Sequence, residues 1–115
     1  MNKLVWLGAA AVIFSAGVAV GKSEATVKVA LENARVALHV IDLAPGAERP
    51  GRTRPTDELV FFCDEAHYQA VDAQGKKEPR DRKPGDAVFH KQGEVAPTLV
   101  NISGKPIRYY SVSLK

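Results

Sequence analysis

Arg52 and Arg54 stand two residues apart, a short distance ahead of Asp57 and Glu58. On an extended chain, side chains at alternate positions share a face. Two guanidiniums placed this way can grip a carboxylate, sulfate or phosphate through paired hydrogen bonds that weaken as salt rises. Either one can instead close an ion pair with Asp57 or Glu58 that fills an interior space and holds neighbouring strands in register. The sequence leaves both readings open, and Arg52, Arg54 and Glu58 are its candidate ligand-binding residues.

The three histidines, His39, His67 and His90, each stand alone on a strand-like run, without a second ligand two residues away. That isolation is the pattern of structural histidines. His90 is the residual candidate for more, because favourable strand alternation would bring it to the face that carries Glu58. The single cysteine, Cys63, ends the apolar run ELVFFC and reads as a small buried hydrophobe. It has no partner within the chain for a disulfide. No Gly-x-Ser-x-Gly elbow, phosphate-binding glycine loop, Cys-x-x-Cys pair or His-Glu-x-x-His helix occurs, so the common signatures of hydrolases, nucleotide enzymes and redox proteins are missing.

The elements that must position these residues are short and extended. Arg35 to Leu43 (RVALHVIDL) is rich in β-branched and apolar residues and stops at Ala44-Pro45-Gly46. Further strands are expected at 58–63, 67–71, 87–90, 98–102 and 106–114, with a more polar one at 76–83. Turns are expected at 64–65, 72–75, 84–86, 92–93 and 103–105, where Gly, Pro and Asp cluster. Seven or eight strands in about ninety residues, with no helix of useful length among them, bury enough apolar surface only as two packed sheets or one closed sheet. The fold class expected is therefore all-β, a small jelly-roll β-barrel. Phe61-Phe62 and Tyr109-Tyr110 each send one ring to either face of a strand, and outward rings favour interfaces.

An apolar run from Leu4 to Gly21 follows Lys3, which is the order of a signal peptide. Its 18 residues also reach the lower limit for a membrane-spanning helix. Ser23-Glu24-Ala25 and Gly17-Val18-Ala19 both offer small residues for cleavage. The reading divides the chain into 1–25, a hydrophobic helix acting as signal peptide or uncleaved anchor, and 26–115, the β-domain. The domain is then periplasmic or secreted, or held at the membrane facing the periplasm within a larger complex, with Gly17 and Gly21 as a close-packing pair. Without residues 1–25 the chain keeps 14 basic and 12 acidic residues. These charges are interleaved, and no aromatic side chains are spaced through a basic stripe, which excludes nucleic acid as a partner.

The order of features from Glu32 to Leu114 resembles that of small single-domain cupins. Gly46 and Glu58 stand at the spacings of the first cupin motif, with Arg52 and Arg54 at its two histidine positions. Pro84-Gly85-Asp86 resembles the opening of the second motif, whose histidine position falls on Ala96 or Pro97, and Asn101 resembles its closing asparagine. The resemblance implies a cupin barrel whose metal motifs are degenerate. Metal-dependent cupins hold iron, manganese, nickel or zinc with three histidines and a glutamate, a donor set suited to such ions. Arginine stays protonated and offers no lone pair in place of imidazole. No metal cofactor is expected, with Glu58 and His90 the residual ligands. The function expected is an exported, non-catalytic binding or accessory module for a protein partner or small anion. The alternative is an isomerase or dioxygenase-like cupin enzyme built on Glu58, His90 and Arg52. Cupins also pair through their N-terminal strand, and Thr26 to Leu31 (TVKVAL) suits such an exchange, so a homodimer is expected.

Overall fold

The computed structural model describes residues 23–115, which contain eleven strands and no helix. The strands are β1 Thr26–Glu32, β2 Val36–Leu43, β3 Glu48–Arg49, β4 Arg52–Thr53, β5 Asp57–Phe62, β6 Ala66–Val71, β7 Lys77–Arg82, β8 Ala87–His90, β9 Val95–Ala96, β10 Thr98–Asn101 and β11 Ile107–Leu114. A five-stranded antiparallel sheet runs β1-β2-β11-β5-β8, a four-stranded one runs β3-β10-β6-β7, and β4 pairs with β9. All the longer strands fall within a residue of the positions expected from the sequence. The expected count of seven or eight rises to eleven through three two-residue strands. These are too short to carry an alternation pattern, so pairing partners rather than composition define them. The expected N-terminal helix lies outside the described residues, apart from Ser23, Glu24 and Ala25.

The two larger sheets face each other around one core. Alternation along β2, β5 and β11 turns Ile41, Leu43, Val60, Phe62, Ile107 and Tyr109 inward, where they meet Tyr68 of the opposite sheet. Ile41, Leu43 and Ile107 are essentially sealed from solvent, each contributing about 2 kcal/mol by burial. Asn101 fastens the closing turn to this core: its side-chain amide donates to the carbonyls of Leu43 and Lys105 at 2.9 and 2.8 Å, and its Oδ1 accepts from Ser103. The Gly46 N–H donates to the Asn101 carbonyl at 2.9 Å from a turn with φ of 79°, a left-handed conformation that glycine adopts without strain.

The outer face of the five-stranded sheet is also apolar. Cross-strand pairing lines up Leu31, Leu38, Val112, Leu59 and Phe89 in one row across all five strands. Val40, Tyr110, Phe61 and Ala87 form the next row, which ends on Lys28 at the β1 edge. The paired aromatics divide as alternation requires, Phe62 and Tyr109 buried, Phe61 and Tyr110 outward. Strand β1 pairs with β2 of its own chain across a bulge between Val29 and Leu31, and all seven of its residues are exposed.

Candidate functional site

Arg52 begins the short β4, Arg54 follows it by two residues, and Glu58 lies on the inward face of β5. The backbone of Arg54 is fixed by its N–H donating to the Glu94 carbonyl at 2.9 Å, while its own carbonyl accepts from the Gly93 N–H. This holds both guanidiniums over Glu58. Arg52 donates through Nη1 and Nη2 to Oε2 and Oε1 of Glu58 at 3.0 and 2.7 Å, a bidentate pair, and Arg54 Nη1 donates to Oε1 at 2.8 Å. Asp57 takes no part, because its Oδ1 accepts the Gln92 N–H at 2.8 Å instead. Burial raises the cost of ionising Glu58, which is 2% exposed, but the hydrogen bonds and charges of Arg52 and Arg54 outweigh that cost and hold its carboxyl below the usual pKa.

The arginines line a partly open cavity whose wall is otherwise largely aromatic and aliphatic. Its lining arginines are Arg49, Arg52, Arg54, Arg80 and Arg82, and its aromatic wall comes from Phe62, Tyr68 and Tyr109. Three of these arginines lie outside the pair singled out in the sequence. Arg49 donates to the Tyr109 hydroxyl at 2.9 Å, and Arg82 donates through Nε to the Tyr68 hydroxyl at 3.2 Å. Each also stands over a ring, Arg49 over Tyr109 and Arg82 over Phe62, with centroid distances of 5.9 and 5.7 Å. A phenol is a neutral partner, so these bonds position the two guanidiniums without cancelling their charge. Arg80 pairs with Glu78 at 2.9 Å near the rim. The signal that could have located Arg80 and Arg82 is the spacing Arg80-Asp81-Arg82 on an expected strand, the same alternate placement as Arg52 and Arg54.

Arg54 is 8% exposed, and its buried Nε has no hydrogen-bond partner among the described residues. An unsatisfied buried donor costs about 1–3 kcal/mol. Two further donors are available, because Tyr68 and Tyr109 accept from arginine and keep their own hydroxyl protons to give. Burial pushes the Tyr109 hydroxyl up in pKa against the opposing charge of Arg49, so it remains a protonated donor.

His90 is the direct cross-strand partner of Glu58 and lines the same cavity, so β8 brings it to the face expected of it. Its Nδ1 lies 3.3 Å from Oε1 of Glu94. Burial and the nearby charge of Arg54 hold its pKa below the ordinary value, against the pull of Glu94 and Glu58. These residues do not fit a transition metal. Both oxygens of Glu58 are taken by guanidinium donors, and among the described residues no three His, Cys, Asp or Glu side chains come together. The second-motif positions Ala96 and Pro97 lie in the cavity wall and offer no donor side chain. His67 is exposed and hydrogen-bonded to Asp81, and His39 sits opposite Val29 on β1. Cys63 is partly buried, with burial pushing its thiol pKa up.

Two packed antiparallel sheets around a cavity of this kind make the domain a cupin-type jelly roll. It is similar to a cupin domain from Bordetella pertussis Tohama I, with a TM-score of 0.75 at 17% identity over 84% of this chain and 98% of that one. A double-stranded β-helix protein from Klebsiella pneumoniae matches with a TM-score of 0.64 at 24% identity, covering 79% and 76% of the two chains. A sugar phosphate isomerase of the cupin superfamily from Silicibacter pomeroyi matches with a TM-score of 0.54 at 25% identity, covering 71% of this chain and 52% of that one. Such neighbours include both enzymes and uncharacterised proteins. No protein-family model matches the chain, and no curated protein sequence does.

Proposed function

We propose that this chain is an exported cupin-fold binding module whose barrel takes a small anion in place of a metal. The observation that carries the reading is the cavity lined by five arginines, two of which, Arg49 and Arg82, are hydrogen-bonded to neutral phenols. Export rests on the apolar run Leu4 to Gly21, and the domain then works in the periplasm or outside the cell, either free or tethered by that run. The enzyme alternative, an isomerase or dioxygenase-like cupin using Glu58, His90 and Arg52, requires a carboxylate free to move protons or bind metal. Glu58 is instead neutralised by two arginines, which favours binding over catalysis. Titration calorimetry at low ionic strength with sulfate, phosphate and short carboxylates tests the reading. Saturable heat that fades as sodium chloride is added is expected, and no heat with any of these anions would overturn it.

A second reading concerns the protein partner, and the two apolar rows on the outer sheet face favour it. Five strands at about 4.8 Å spacing make a face about 24 Å wide, and with its flanking residues it runs about 20 Å along the strands. Two copies stacked through it would bury about 1,000 Å² in total, which is the threshold for a biological interface and below the standard size. The face is uncharged along its central row, so it complements itself. The occupant we propose is a second copy of the chain, stacked sheet on sheet. Sedimentation of the full chain and of Phe89→Lys checks this: a dimer that the substitution turns into a monomer is expected, and a monomeric parent would exclude it.

A further inference from the structure

The cavity's charge and size together narrow the ligand class. Of its five arginines, Arg52 and Arg54 share Glu58, and Arg80 has Glu78. Arg49 and Arg82 are held by phenols and rings, which orient a guanidinium but leave its charge in place. A monoanion in this space would answer one of those two charges and leave the other facing a largely apolar wall, where an unanswered charge is costly. The space itself is small. Its volume is about 70 Å³. That suits a tetrahedral oxyanion or a short dicarboxylate and is too little for a sugar phosphate or a nucleotide held entirely inside.

We propose that the ligand is a compact dianion, two negative charges on closely spaced oxygens, held between Arg49 and Arg82 with the Tyr68 and Tyr109 hydroxyls as further donors. This rests on the anion-binding reading and goes beyond it by fixing the ligand's charge and size. Planar guanidiniums match such oxygens two at a time, and rigid anchoring by Tyr68 and Tyr109 reduces the ordering that binding would otherwise require.

The test uses pairs of anions matched in shape and differing in charge: sulfate against methanesulfonate, and malonate against propionate. Each is titrated into the full chain in non-ionic detergent at constant ionic strength. Sulfate or malonate is expected to bind at least about tenfold tighter than its singly charged partner, a difference of about 1.4 kcal/mol. Whichever dianion binds more tightly assigns the oxyacid class. Arg82→Gln and Arg49→Gln are each expected to weaken dianion binding by about tenfold and to bring the charge ratio close to one. Arg108→Gln, which removes the same charge from the outer face beside Asp42, is expected to leave both unchanged. Thermal melts of each variant without ligand establish that it is folded, and Arg82→Lys, which keeps the charge and loses the fork, provides a second reading at the same position with intermediate affinity expected. Equal affinity for both members of each pair would overturn the dianion proposal while leaving anion binding intact. Absence of binding by all four would overturn both.

Discussion

Arg54 and Glu58 meet through a single hydrogen bond, Nη1 to Oε1 at 2.8 Å, although both are almost fully buried. Arg52 reaches the same carboxylate with two bonds. One carboxylate thus organises two guanidiniums, and the arginine that is less fully satisfied is the deeper one.

Replacing Glu58 with Gln should make the imbalance acute. Two guanidiniums, one of them buried, lose their counter-charge, and breaking a buried pair from one side costs about 3–5 kcal/mol. Because Arg52 is about a third exposed, the lower end of that range is expected, about 3 kcal/mol by urea unfolding. Sulfate should restore more stability to Glu58→Gln than it adds to the parent, since it supplies charge where the substitution removed it. An equal gain in both proteins would separate the ion pair from the anion site.

The same carboxylate sets an acid limit. Its folded pKa lies below the ordinary 4.5, so as pH falls the unfolded chain takes up a proton that the folded chain refuses. The contribution of Glu58 is therefore complete above about 4.5 and is lost as pH falls through the folded value. Surface carboxylates such as Asp42 are shared by the parent and Glu58→Gln and cancel in the comparison. The stability gap between the two proteins, followed by urea unfolding from pH 7 downward, should be constant to about pH 5 and then narrow.

Gly51 tests how tightly the cavity wall is built. Its φ is not in the left-handed region, but a Cβ there would lie 2.8 Å from the Ala96 carbonyl oxygen and 3.3 Å from the Thr98 nitrogen, both backbone. Gly51→Ala must push β4 away from β9, moving Arg52 with it. A loss of about 1–3 kcal/mol is expected, together with weaker anion binding, measured by urea unfolding and sulfate titration on the same preparation.

How much of this was legible in the sequence depends on how each feature is encoded. Strands β2, β5, β6, β8, β10 and β11 carry their own alternation and end in Gly, Pro or Asp turns, so composition alone located them. Glu48–Arg49, Arg52–Thr53 and Val95–Ala96 exist because a partner strand is there, and two residues carry no period. Arg52, Arg54 and Glu58 were visible as a local cluster, whereas Arg49, Arg80 and Arg82 join them only when β3 and β7 of the second sheet close over the cavity. Distances in sequence could not show that Tyr68 and Tyr109 would anchor two of these arginines. The apolar outer face was partly foreshadowed by the paired aromatics, but its two rows appear only with the register of five strands.

Asn101 links the closing turn to the core through four side-chain hydrogen bonds, two given to carbonyls and two received from Ser103. Asn101→Ala leaves the Leu43 carbonyl and the Ser103 groups without this partner at a position 1% exposed. Unmade bonds of this kind cost about 1–3 kcal/mol each where water cannot replace them. Lys105 and Ser103 are exposed enough for water to do so, which leaves an expected loss of about 3 kcal/mol in urea unfolding. Asn101→Asp should be damaging as well, because a carboxylate cannot donate to the Leu43 and Lys105 carbonyls.

The start of the folded domain makes a further prediction. Cleavage after Ala25 would leave Thr26 at the N-terminus, yet the three residues before it are part of the fold. The Ser23 carbonyl accepts from the Glu48 N–H at 3.0 Å, the Ala25 N–H donates to the Glu48 carbonyl at 2.7 Å, and Ala25 packs against the core. They add an outer rung to β3, whose partner on the other side is β10, and Arg49 of the cavity wall is the next residue. A chain beginning at Thr26 should therefore be less stable than one beginning at Ser23. Two backbone hydrogen bonds and a small apolar contact correspond to about 1–3 kcal/mol, and for a domain of this size 1 kcal/mol shifts the melting temperature by about 4–8 °C. The shorter chain should also bind sulfate more weakly, because a loosened β3 lets Arg49 leave Tyr109. Melting curves of the two chains with and without sulfate measure both effects. If the shorter chain is equally stable and binds equally well, the Ser23–Ala25 contacts do not support the site, and cleavage after Ala25 leaves the domain intact.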